Sequence, residues 1–117
     1  MKIGVLILTG PYQHQASDTA YYFIKAALKK GHEISGVFLY TDGVNNINGN
    51  IVPPGERNIA ERFSELGALG IKIFACAACA KFRGLTKQIV VENTKISGLG
   101  KLANIIEESD RFITFGG

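Results

Sequence analysis

The sequence predicts a doubly wound, three-layer α/β domain with a mainly parallel sheet. Apolar runs of strand length recur at 3–8, 34–40 and 71–75, and a segment of helical period follows each of the first two. The run Ile3-Gly4-Val5-Leu6-Ile7-Leu8 is also too continuous for a strand with one wet face; it suits a strand covered by helices on both sides. The chain has 117 residues, so a single domain over 1–117 is expected, because a second hydrophobic core needs more chain. Hydrophobic residues make up 46% and charged residues 20%, a balance that can bury a core and excludes extensive disorder.

Taken in order, the first strand runs into Thr9-Gly10-Pro11, a turn. Ser17 is the expected N-cap of the first helix, whose apolar face is Ala20, Phe23, Ile24, Ala27 and Leu28. Lys29-Lys30 and then Gly31 close it. The second strand, 34–40, lies beyond this crossover, which implies parallel pairing with a right-handed connection. Residues 41–55 are rich in Asn, Gly and Pro without apolar period and are expected to form a long loop. Ile59, Phe63 and Leu66 mark a second helix ending near 67–70, and 71–75 is the third strand. A short helix over 77–82, closed by Gly84, is expected to begin at or just after Cys76. Residues 88–92 are too few to assign as a strand from their pattern. Ser97 is expected to open a last helix with Leu99, Leu102, Ile105 and Ile106 turned inward, and 111–115 is the final strand.

Several function classes are disfavoured at once. The formal charge of +3 is scattered rather than gathered into a stripe, so direct binding of nucleic acid is not expected. The apolar run after Met1-Lys2 is too short for a signal peptide and lacks a cleavage site, and no stretch reaches the roughly 20 apolar residues of a membrane span. A cytoplasmic protein is therefore expected. Two cysteines with His14 and His32 are the whole soft-ligand inventory, too few for a structural zinc site in one chain, with His32 expected on the edge opposite Cys76. The loop 9–17 has no glycine-rich phosphate pattern, which weakens nucleotide or flavin binding. Asp42, Asn45 and Asn46 beside Gly43 read as turn chemistry.

The remaining chemistry sits at Cys76. In open parallel sheets reactive groups gather beyond the carboxyl ends of strands, and a thiol there gains from a helix start and from cations such as Lys72, Lys81 or Arg83 if they turn toward it. The competing reading is a buried cysteine acting as a small hydrophobe. Cys79 completes a Cys-Ala-Ala-Cys spacing that matches dithiol redox sites and equally suits a packing residue. His14 shares the expected carboxyl edge and could orient or deprotonate a thiol, though it also suits a solvated loop position.

Taken together, Thr9-Gly10-Pro11 with Gln15-Ala16-Ser17, Gly31-His32-Glu33, Val37-Phe38-Leu39-Tyr40 running into Asp42-Gly43-Val44, Cys76 eight residues before Gly84, Ser97-Gly98-Leu99-Gly100, Asp110-Arg111 and Phe115 resemble the DsrE/TusD sulfur-relay proteins over nearly the whole length. The resemblance implies a five-stranded parallel sheet and a sulfurtransferase that holds sulfane sulfur as a persulfide on Cys76. It further implies a TusA-like donor, a DsrC- or TusE-like acceptor, and assembly with DsrF/TusC-like and DsrH/TusB-like subunits or with copies of itself. No metal or organic cofactor is implied. Sister subunits of such complexes can carry inert cysteines, so a non-catalytic assembly role is the alternative, as is a Cys76/Cys79 dithiol oxidoreductase. Cys79 departs from the TusD-like pattern, which has alanine there, and the spacing from Pro11 to Gln15 is short.

Overall fold

The computed structural model describes residues 1–116. Its elements are β1 (Lys2–Ile7), α1 (Ala16–Lys29), β2 (Glu33–Leu39), a 3-10 helix (Thr41–Ile47), α2 (Ile59–Ala68), β3 (Ile73–Cys76), α3 (Ala77–Phe82), β4 (Lys95–Ser97), α4 (Leu99–Glu108) and β5 (Arg111–Phe115). All five strands are parallel, in the order β4-β3-β2-β1-β5. Progress from β1 to β4 runs in one direction, so right-handed crossovers put α1, α2 and α3 on one face; the return to β5 puts α4 on the other. The expected doubly wound α/β architecture is thus the observed one.

Alternation along the strands divides the core between the two faces. Val5, Ile7, Val37, Leu39, Ile73 and Ala75 point one way and are buried with Ala20, Ile24 and Ala27 of α1 and Phe63 and Leu66 of α2. On the other face Gly4 and Gly36 pair side by side, and Ile105 of α4 occupies the space they leave. A Cβ on Gly36 would stand 2.6 Å from Ile105 Cγ1, so the missing side chains are what let α4 approach the sheet.

Several expectations about individual elements change. Ser17 is not the N-cap of α1, which begins at Ala16 after Gln15; Ser17 is buried and donates its Oγ proton to the Thr9 carbonyl at 3.3 Å instead. The stretch 41–55 is not wholly irregular: its first seven residues form the 3-10 helix and bury Val44 and Ile47 beside β3 and α3. Residues 88–92 do not form the fourth strand. Val90 makes only an isolated antiparallel bridge with Asn48, while Lys95–Ser97 pairs with β3. Ser97 is therefore in a strand, and Gly98 caps α4. Of the four residues expected inward on α4, Ile105 is buried and Leu102 half-buried, whereas Leu99 and Ile106 are exposed, because one ten-residue helix covers that face and meets it along a single line.

Gly43 sets how the carboxyl edge closes. A Cβ there would collide with the Ile7 carbonyl oxygen, a backbone atom that cannot turn aside. Gly43→Ala is expected to destabilise the chain by about 2–3 kcal/mol, near the upper part of the overpacking range, as read by urea denaturation. A change below the error of that measurement would show that the 3-10 helix shifts freely.

Candidate functional site

β3 ends at Cys76, whose pairing partner is Ser97, and the backbone turns there directly into α3, with Cys76 as the N-cap residue. Its dihedral angles (φ −58°, ψ 124°) leave the chain extended on one side and helical on the other. The Cys76 side chain therefore sits at the helix start anticipated from the sequence. Cys79 follows by one helical turn. Both cysteines are reduced, and both are buried, at 3% and 9% exposure. The niche is closed rather than open: the adjoining Ala77 and Ala78 face solvent while the two thiols lie beneath.

Two groups hold Cys79, the Thr41 N–H and the Arg83 guanidinium. The backbone N–H of Thr41 donates to Cys79 Sγ at 3.3 Å. Thr41 itself adopts a positive φ of 52°, an uncommon conformation for a β-branched residue, and its hydroxyl donates to the Leu8 carbonyl at 2.6 Å. Arg83, just past α3, donates from Nη1 to the Cys79 carbonyl (3.1 Å) and from Nε to Asp42 Oδ1 (2.8 Å), joining the end of α3 to the 3-10 helix. Burial pushes the Cys79 thiol above its ordinary range, and the neighbouring Cys76 side chain adds to this; the Thr41 N–H and the charge of Arg83 act in the opposite direction.

The other sequence candidates divide. Of the three proposed cations, Arg83 reaches Cys79, at its backbone carbonyl. Lys72 precedes β3 at its amino end and lines a different cleft with Lys95 and Lys101, and Lys81 lines a surface cleft with Ala78 and Phe82. His14 is exposed in the first loop, and among the described residues it makes no hydrogen bond. His32 Nδ1 lies 3.0 Å from the Met1 amino group at the amino edge, opposite Cys76. Asn46 is fully buried and structural: its Nδ2 donates to the Thr9 and Gly43 carbonyls, stitching the first loop to the 3-10 helix.

Sequence reasoning missed the ionic clamp behind the first loop. Asp18, 4% exposed on α1, accepts two hydrogen bonds from Arg57 (2.9 and 2.6 Å) and one from Arg62 (3.1 Å). Arg57 also lies over the Tyr12 ring, and the Tyr12 hydroxyl donates to the Arg57 carbonyl while accepting from the Ile59 N–H. An acidic residue in the first turn of α1 was visible; its arginine partners, about forty residues on, had no periodic signal.

A doubly wound α/β protein with a buried strand-end dithiol is the class these features define. The chain belongs to the DsrE/DsrF-like family, whose characteristic pattern matches residues 1–115. It is 42% identical over 129 aligned positions to the putative sulfurtransferase DsrE of Allochromatium vinosum, covering 99% of both chains. It is 36% identical to the sulfurtransferase TusD of Serratia proteamaculans, covering 94% of this chain and 96% of that one. The crystal structure of the ychN protein from E. coli superposes with a TM-score of 0.87 over 98% of this chain and 99% of its own at 21% identity, a likeness of fold. Among the described residues no helix is long and apolar enough to cross a membrane.

The Asp18 clamp has a defined pH signature. Hydrogen bonding from Arg57, followed by the charges of Arg57 and Arg62, outweighs burial and holds the Asp18 carboxyl below its usual range. A depressed native pKa adds stability above the unfolded value of about 3.9, and that stability is lost as pH falls through the native value. Asp18→Asn should therefore cost about 2–3 kcal/mol at neutral pH, tempered by the partial exposure of both arginines. The gap to wild type should narrow as pH falls below the unfolded value of about 3.9, as urea titrations at several pH values would show. A pH-independent gap would mean that packing, not charge, holds the loop.

Proposed function

We propose that this chain is a sulfur-relay protein that accepts sulfane sulfur as a persulfide on Cys76 and passes it to the thiol of a partner protein. The observation that carries the reading is the place of Cys76, at the carboxyl end of β3 and the start of α3, in a chain whose relatives are named sulfurtransferases. In the loading step the Cys76 thiolate attacks the outer sulfur of a donor persulfide and the donor leaves as a thiolate. In delivery an acceptor thiolate attacks the outer sulfur on Cys76 and frees the Cys76 thiolate. These exchanges need neither metal nor organic cofactor, and His14 is assigned no step.

Burial of Cys76 adds a requirement. Neither donor nor acceptor can reach a 3% exposed residue without moving the first turn of α3, so docking and opening belong to one event. Support for a protein partner at this place comes from Phe82, 88% exposed at the end of α3, and from the adjacent cleft of about 430 Å³ lined by Ala78, Lys81 and Phe82. The proposed donor is TusA-like and the proposed acceptor DsrC- or TusE-like, within a cytoplasmic assembly that holds DsrF/TusC-like and DsrH/TusB-like subunits or further copies of this chain. Burial also favours a second reading, in which this is an assembly subunit with unreactive thiols.

Incubation with a persulfidated carrier protein, followed by intact-mass measurement, separates the two. The wild type should gain the mass of one sulfur atom, and Cys76→Ser should gain none. If wild type and Cys76→Ser show the same change in mass on incubation, the carrier reading of Cys76 falls; if neither mass changes, the assembly reading stands.

A further inference from the structure

We infer that Cys79 is an internal resolving thiol: it attacks the Cys76 sulfur of an undelivered persulfide, expels the outer sulfur as hydrosulfide and leaves a Cys76–Cys79 disulfide. This deepens the carrier reading of Cys76 and rests on it. The placement of the two sulfurs carries the inference. Cys76 is the N-cap residue of α3 and Cys79 lies three residues, about one helical turn, further along it, and both thiols are buried at this helix start. An external acceptor must open the α3 turn to reach the persulfide, whereas Cys79 already sits beside it.

Two contacts at Cys79 oppose the burial that holds its proton. The Thr41 N–H aimed at Cys79 Sγ stabilises negative charge on that sulfur, and Arg83, bonded to the Cys79 carbonyl, places a cation within reach of the same thiol. A residue serving only to fill space would need neither a backbone donor on its sulfur nor a guanidinium at its carbonyl.

The step balances. The new bond joins Cys79 Sγ to Cys76 Sγ, and the bond that breaks joins Cys76 Sγ to the outer sulfur. That sulfur takes the electron pair and a proton and leaves as hydrosulfide, reduced by two electrons, while the two cysteine sulfurs are each oxidised by one. A low-molecular-weight thiol or dithiol reductant returns the pair to its starting state. Resolution competes with delivery: a persulfide met promptly by an acceptor is handed on, and one left waiting is discharged as sulfide. Because burial and Cys76 hold the Cys79 proton, discharge should accelerate as pH rises.

The test loads wild type and Cys79→Ser with sulfur from a persulfidated carrier, removes the carrier, and follows intact mass and free sulfide over time across a pH series. The loaded wild type should lose one sulfur and two hydrogens per chain with equimolar sulfide. The persulfide on Cys79→Ser should last at least ~10-fold longer and release no sulfide through disulfide formation. Equal persulfide lifetimes in both proteins, or sulfide release without the disulfide mass, would overturn the inference and leave the carrier reading intact. Failure of both proteins to take up sulfur would remove the carrier reading and this step with it.

Discussion

The contact between the Thr41 N–H and Cys79 Sγ joins the chain leaving β2 to the helix leaving β3, and the candidate site depends on that junction. Thr41 reaches it in a left-handed conformation held by its own hydroxyl on the Leu8 carbonyl. Gly43 then passes against the Ile7 carbonyl with no room for a side chain, and Asn46 ties the same turn to Thr9. The carboxyl ends of β1, β2 and β3 are thereby drawn together over a few residues. Without that gathering, Cys76 and Cys79 would lie on an exposed helix start, open to any oxidant or electrophile.

Closure has a chemical consequence. Both thiols lie out of solvent beneath the first turn of α3. Burial disfavours a thiolate, while a helix start, a backbone N–H and a guanidinium favour one. In this fold the two tendencies meet at Cys79, where burial leads and pushes the thiol up against the Thr41 N–H and the charge of Arg83.

Support for the edge comes from well outside it. The Asp18 carboxylate, buried under Arg57 and Arg62, fastens the segment before α2 to α1, and Tyr12 is caught between them. A buried carboxylate with two guanidiniums is costly to desolvate and costly to break, which suits a fastening more than a source of net stability. On the opposite face α4 reaches the sheet only because Gly4 and Gly36 lie side by side, and its outer apolar residues Leu99 and Ile106 stay exposed.

Local pattern determined much of this protein. Strand-length apolar runs and a well-terminated first helix were enough for the parallel, doubly wound order, because crossover handedness allows few alternatives. The strand-to-helix position of Cys76 followed from Ile71 to Phe82 alone, although the strand itself begins at Ile73. Where local pattern failed, a distant partner decided the outcome. Lys95–Ser97 is a strand because β3 offers it an edge, although three residues carry no period of their own. Ser17 gave up capping for the Thr9 carbonyl, and residues 41–47 coiled because Val44 and Ile47 had a core to enter. The composition of the Cys-Ala-Ala-Cys segment was legible, yet its closure was not, since burial is set by the Thr41 turn, about forty residues earlier in the chain. Sequence spacing records which residues can share a helix or a strand; only the folded chain sets which backbone N–H meets a given sulfur and which thiols water reaches.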